Sequence, residues 1–228
     1  MTRVFDGIVD VYDRWYDTPE GTEILRAEVE CLRSLHQESP GRWLEVGVGT
    51  GRFADSLGIS EGIDPSSRML EVAAGRGIAT HEACAEHLPF QKSLFDGVLM
   101  ALTFCFVENV GAALRECWRV LRPRGSLLMG VVPADSLWGR EYVEKALRGH
   151  PVYALAHFRS ATEIVGLVEN TGFTLARAAS ALFWKPGNTS PGEPRVEPGI
   201  VPGAGFLGLL FTRTACGRPS TAKLKAQE

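Results

Sequence analysis

Between Trp43 and Val132, five short apolar runs alternate with amphipathic stretches, and that alternation leaves few folds open. The runs are WLEV, the segment Ile59 to Ile63, GIATHEA, FDGVLMAL and SLLMGVV. Helical patterns lie between them at 52–57, at 65–74 and in VGAALRECWRVLR. In the last of these, Ala113, Leu114, Cys117, Val120 and Leu121 share one face, and Pro123 stops the turn. Strands separated by helices form a parallel sheet covered on both faces, because a parallel return needs a crossover long enough to hold a helix. FDGVLMAL is nearly all apolar, as a central strand of such a sheet must be. A chain of 228 residues, 45% hydrophobic, can bury one sizeable core, and a single domain is expected.

The flanks break this rhythm. Helical spacing runs from Val4 to Trp15, and Thr18-Pro19 opens a second helix in which Ile24, Leu25, Val29, Leu32 and His36 recur to Gln37. Ser39-Pro40-Gly41 then interrupts the chain. After Pro133, residues 135–148 read as helix, and Ser160 with Glu163 forms a capping box for a helix reaching Glu169 and ended at Gly172. Two β-like runs follow, FTLARAASALFW and GFLGLLFTRT, which are expected to pair as a hairpin. The 186–202 loop between them holds five prolines and reads as free of regular structure. The division expected is a helical lid over 1–40 and a domain over 41–214, with 133–160 covering the acceptor side. Residues 215–228 form a polar, basic tail that reads as disordered.

The chemistry is concentrated in LEVGVGTGRF, where Gly47, Gly49 and Gly51 alternate directly after a strand. Glycines let a backbone turn sharply and approach a ligand, and the following helix presents free N–H groups. A dinucleotide-binding turn needs a further glycine where Arg52 stands. What stands instead is acid-x-G-x-G-x-G beginning at Glu45. Asp64 ends the next strand 17 residues after Gly47, where its carboxylate can accept hydrogen bonds from ribose hydroxyls or cap the helix entered at Pro65.

These motifs resemble those of the class I S-adenosylmethionine-dependent methyltransferases, in particular the small-molecule enzymes of the ubiquinone/menaquinone-methyltransferase-like group. Three further stretches carry the resemblance: ACAEHLPF, FDGVLMALTFCFVEN and WRVLRPRGSLLM. The resemblance implies a Rossmann-like, doubly wound sheet of seven strands, the last antiparallel and inserted beside the fifth. It implies S-adenosyl-L-methionine as cofactor and S-adenosyl-L-homocysteine as product. Glu45, Gly47, Gly49, Thr50 and Gly51 would wrap its methionine and ribose portions, and Asp64 and Pro65 would meet the ribose. Cys84, Ala85 and Glu86 would meet the adenine. Cys84 replaces the family's acid, which leaves the contact to the Ala85 backbone. Ala101 closes the cofactor site at the end of the fourth strand, while Asp96 anchors the start of that strand. Arg122 stands for a lysine and Arg124 for a glycine in the turn before the fifth strand.

The implied reaction is in-line displacement of the methyl group onto a small-molecule acceptor. A quinone or lipid-like carbon acceptor, and a non-catalytic cofactor-binding protein, are the alternatives. Twenty-four basic and 27 acidic residues give a net charge of -3 and no footprint for nucleic acid. No apolar run reaches the roughly 20 residues of a membrane span, and no signal-peptide core is present, so a cytoplasmic protein is expected. The five cysteines show neither C-x-x-C pairs nor metal-ligand spacing and read as buried apolar residues, with no metal. Tyr12, Trp15 and Tyr16 are lid candidates, and Trp138 with Tyr142 reads as core. Tyr16 and His157 are the candidate catalytic groups. Composition carries no signal for oligomeric state.

Overall fold

The computed structural model describes residues 2–36, 41–188 and 192–214. Two helices, α1 (Thr2–Trp15) and α2 (Pro19–His36), precede β1 (Trp43–Val46). Then come α3 (Arg52–Leu57), β2 (Glu61–Asp64), α4 (Ser67–Gly75), β3 (Ala79–Glu82), β4 (Phe95–Ala101), α5 (Val110–Val120) and β5 (Leu121–Val131). The last third holds α6 (Leu137–Leu147), α7 (Ala161–Glu169), β6 (Phe173–Ala181), β7 (Glu197–Pro198) and β8 (Phe206–Arg213). Among the described residues, eight strands form one sheet in the order β3-β2-β1-β4-β5-β8-β6-β7. The first five are parallel, and β8 lies antiparallel between β5 and β6. Strand order reverses between β1 and β4, so their carboxyl ends frame the crevice where such sheets bind ligands.

Sequence and structure part over the strand count, which is eight rather than seven. The additional strand is Glu197–Pro198, inside the stretch expected to be irregular, paired with Ala179 and Ser180. It is the sheet's edge, where the missing proline N–H breaks no ladder. The Ser180 hydroxyl pins the same loop, donating to the Gly199 carbonyl at 2.8 Å and accepting from the Val201 N–H at 2.9 Å. The pairing of β6 with β8 matches the expected hairpin. Helix α4 starts later than the Pro65 expected, because its N-cap is Ser66, whose Oγ accepts from the Met69 N–H. The Ser160–Glu163 capping box is present. Arg124, standing where the resembling family has glycine, adopts φ 66°, and Asp96 bonds the Arg42 N–H and the Arg122 guanidinium.

The core divides about the sheet. On one face α5 and α7 cover Leu44, Val46, Val98 and Phe211, and on the other α2, α3 and α4 cover Leu99, Leu128 and Phe206. Helix α2 lies directly on β5, β6 and β8. A Cβ on Gly208 would stand 2.9 Å from the end of the Leu35 side chain, so α2 lies close against β8. Among the described residues, no helix is long and apolar enough to cross a membrane. The tail over 215–228, with Cys216, lies outside the described residues, as do Gln37, Ser39 and Pro40.

Candidate active site

The glycine turn after β1 is held by backbone bonds to its neighbour. The N–H groups of Gly47 and Val48 both donate to the Ile63 carbonyl at 2.8 Å. Gly47, Gly49 and Gly51 all take positive φ (75°, 52° and 86°), a region that side-chain-bearing residues avoid. They face different surroundings. A Cβ on Gly47 would stand 2.3 Å from Thr103, and one on Gly51 would stand 2.4 Å from Ile78. A Cβ on Gly49 would meet nothing within 4 Å. The outer glycines therefore permit close packing, and the middle one borders open space.

Asp64 braces this turn. One carboxylate oxygen accepts from the Gly49 N–H at 3.0 Å and the other from the Ser66 N–H at 2.9 Å. Burial raises its pKa, and those two N–H groups pull it back. Across the crevice, Thr103 Oγ1 lies 3.2 Å from the Gly47 carbonyl and 3.0 Å from that of Ala101. Leu102 beside it sits at φ 55°, a left-handed conformation strained for leucine.

From this crevice a cavity of about 1170 Å³ extends beneath α1, α2 and α6. Gly47, Gly49, Asp64, Pro65, Cys84, Ala85, Glu86 and Ala101 line it, together with the aromatic side chains of Tyr12, Trp15, Tyr16, Trp138, Tyr142 and Tyr153. The Tyr12 and Tyr16 hydroxyls are 3.2 Å apart, and the Tyr142 and Tyr153 rings stack at 4.5 Å. Helix α1 is tied down over it. Asp13 binds Arg52 and Arg76, each at 2.9 Å, Asp17 binds Arg52 at 2.8 Å, and Arg76 also donates to the Thr50 carbonyl.

A family model described as a methyltransferase domain matches residues 44–129. A demethylmenaquinone methyltransferase of Mycobacterium tuberculosis is 37% identical over 163 residues, covering 68% of this chain and 69% of that protein. An uncharacterized protein of the same species is 40% identical over 198 residues, 87% of this chain and 70% of its own. Among solved structures, one from Thermotoga maritima superposes with a TM-score of 0.86 at 33% identity, covering 93% of this chain and 99% of that one. It is described as an S-adenosylmethionine-dependent methyltransferase, possible histamine N-methyltransferase. The chain belongs to the S-adenosylmethionine-dependent methyltransferases.

Within this methyltransferase, most of the residues singled out from sequence line the one cavity, but Glu45, Thr50 and Gly51 do not. Glu45 lies under the turn, 1% exposed. Burial raises its pKa well above the usual range, partly offset by the Ala54 N–H. Its Oε2 has no hydrogen-bond partner among the described residues. Thr50 and Gly51 are buried. Glu86 accepts from the Asn109 N–H at 3.1 Å.

The cysteines correct an expectation: Cys31 and Cys117 are buried, but Cys105 is only partly so and Cys84 is exposed at the cavity. Cys84 stands in the loop between β3 and β4, on the cavity wall, and not on the core face of a helix or strand. Burial pushes the Cys105 thiol up to about 12 and keeps it protonated near neutral pH. Among the described residues, no group of three or more His, Cys, Asp or Glu could hold a metal ion.

Of the catalytic candidates, Tyr16 is buried and its hydroxyl pKa is raised well above 10 by that burial, so it can donate a hydrogen bond but stays protonated. His157 is exposed at the cavity, and its backbone N–H bonds the Cys105 carbonyl at 2.7 Å. Trp138 is buried, as expected of core, with Nε1 bonded to the Trp184 carbonyl, yet it also borders the cavity.

Of the cavity residues not singled out from the sequence, Glu28 stands apart by its charge and burial. Glu28 is 3% exposed, and its Oε2 has no hydrogen-bond partner among the described residues. Burial lifts its pKa to about 8. A signal existed: Glu28 follows Ile24 by four residues and precedes Leu32 by four, which puts a charge on the apolar stripe of α2.

Proposed function

We propose that the methyltransferase transfers a methyl group from S-adenosylmethionine to a small molecule by in-line displacement. The observation that carries this reading is the continuity of one cavity from the glycine turn to an aromatic chamber closed by α1. The residues fit the cofactor: space opens beyond Gly49, Asp64 stands beside it, and Glu45 keeps an unpartnered oxygen beneath the turn. On this reading Asp64 accepts the ribose hydroxyls, the Ala85 backbone meets the adenine, and the turn over 47–51 surrounds the methionine portion. The cofactor supplies a methyl group already activated by its sulfonium, so the protein's work is alignment and exclusion of water. Helix α1 acts as the lid, latched through Asp13, while α2 belongs to the core layer on the sheet, and 133–160 cover the acceptor.

A quinone-like acceptor is the second reading, favoured by the apolar side chains of Phe5, Ile8, Val11 and Phe106 along the cavity. The name of the mycobacterial relative agrees with it. The test is formation of S-adenosylhomocysteine on incubation with a fractionated pool of small metabolites, followed by mass determination of the methylated product. Turnover that requires a macromolecular fraction would overturn the small-molecule reading. Turnover confined to the lipid-soluble fraction would select the quinone-like one.

A further inference from the structure

Burying a lone carboxylate is unfavourable unless something pairs with it, so an unpaired one beside a cavity calls for a partner. Glu28 is such a group. Among the described residues it has no ion pair, and the arginines nearest along its helix are engaged elsewhere. Arg26 binds Glu23 and the Gly192 carbonyl, and Arg33 binds Glu30 and the Ser56 carbonyl. Across the cavity, Tyr12, Tyr16, Tyr142 and Tyr153 all lie close enough to Glu28 for its charge to act on their hydroxyls. Glu20 acts in the same sense on Tyr142 and Tyr153. Lys145 also lines the cavity, but its ammonium is 3.5 Å from Glu141. Carboxylates and aromatic rings around one space are the surroundings that favour an organic cation, which gains from the charge and from the ring faces together.

We propose that Glu28 is the counter-ion for a protonated amine carried by the acceptor, seated among Tyr12, Tyr16 and Tyr142. This rests on the reading of the aromatic chamber as the acceptor site, and it narrows the acceptor to small organic amines. A neutral quinone would leave the carboxylate without an opposite charge.

The test is calorimetric titration of benzylamine, 2-phenylethylamine and tryptamine, each against the alcohol of the same carbon skeleton. Each titration is run on the protein alone and on the protein saturated with S-adenosylhomocysteine. At least one amine should bind about tenfold more tightly than its alcohol. Glu28→Gln should erase that preference, Glu28→Asp should restore part of it, and both variants should bind S-adenosylhomocysteine as the wild type does. A purely structural Glu28 would weaken amine and alcohol alike, which overturns the proposal. It is equally overturned if no amine is preferred or if the preference survives in Glu28→Gln. Failure to bind S-adenosylhomocysteine would count against the cofactor reading instead, because the amine preference is read separately on the cofactor-free protein.

Discussion

The two ends of the cavity are built on opposite principles. At the glycine turn the backbone is already braced: Asp64 accepts two backbone N–H groups, and Gly47 and Val48 share the Ile63 carbonyl, although Glu45 Oε2 beneath it has no hydrogen-bond partner among the described residues. In the aromatic chamber, side chains from four separated segments converge, and Glu28 Oε2 is left without a hydrogen-bond partner among the described residues. The first end is largely preorganised before any ligand arrives, whereas the second holds a buried carboxyl that burial keeps protonated near neutral pH and that an opposite charge beside it would ionise. The difference teaches where recognition is costly and where it is already built in.

Substitutions at the glycines should break this comparison most sharply. Gly51→Val forces a side chain against Ile78 and Ala73 at positive φ and is expected to cost about 3 kcal/mol or more, read as a large fall in Tm. Gly49→Val meets no neighbour, so the chain should fold with only the strain of its positive φ. Its side chain would nevertheless fill the proposed cofactor space, weakening S-adenosylhomocysteine binding by roughly 10²-fold or more in calorimetry. A Gly49→Val protein that folds and binds normally would remove the turn from the cofactor site.

Asp64→Ala comes next. It loosens the Gly49 and Ser66 N–H groups and, on the proposed reading, would remove two charge-assisted hydrogen bonds to the ribose, each worth about 1.5–3 kcal/mol. With water compensating in part, affinity for S-adenosylhomocysteine should fall by roughly 10². Unchanged affinity would mean that the aspartate serves only the turn and helix entry.

Glu28→Gln should act in the other direction, on stability. The folded-state pKa of about 8 lies above the ordinary 4.5, so between those values the unfolded chain releases a proton that the folded chain keeps. Stability is then full below about 4.5, declines as pH rises, and levels off above about 8. Near pH 7 the variant should therefore be more stable than the wild type by roughly 3 kcal/mol, with the gap closing toward pH 4. Denaturant unfolding at the two pH values checks it, and a gap independent of pH would contradict the assignment.

The smallest effect is expected at the latch. Burial opposes the charge of Asp13, but hydrogen bonds from Arg52 and Arg76 outweigh it and hold the carboxyl at about 2. Asp13→Asn should loosen α1 at a cost of ~1 kcal/mol, seen as a few-fold faster release of S-adenosylhomocysteine in stopped flow. Release at the wild-type rate would show that the lid does not gate the cofactor.

What the sequence determined by itself was whatever depends on neighbours along the chain. The alternation from Trp43 to Val132 specified the parallel sheet, because side-chain periodicity is local. Glu45 to Gly51, Asp64 and the Ser160–Glu163 box were legible for the same reason: each is a short motif whose partners lie within a few residues or one strand away. Tertiary structure alone decided the Glu197–Pro198 strand, since an edge pairing depends on Ala179 and Ser180 arriving beside it. It also decided that Cys84 lies open and that Glu28 is enclosed. Burial is set by what surrounds a residue in space, and Glu28 shares its cavity with Tyr12 of α1 and Tyr142 of α6, which lie more than a hundred residues apart in the chain.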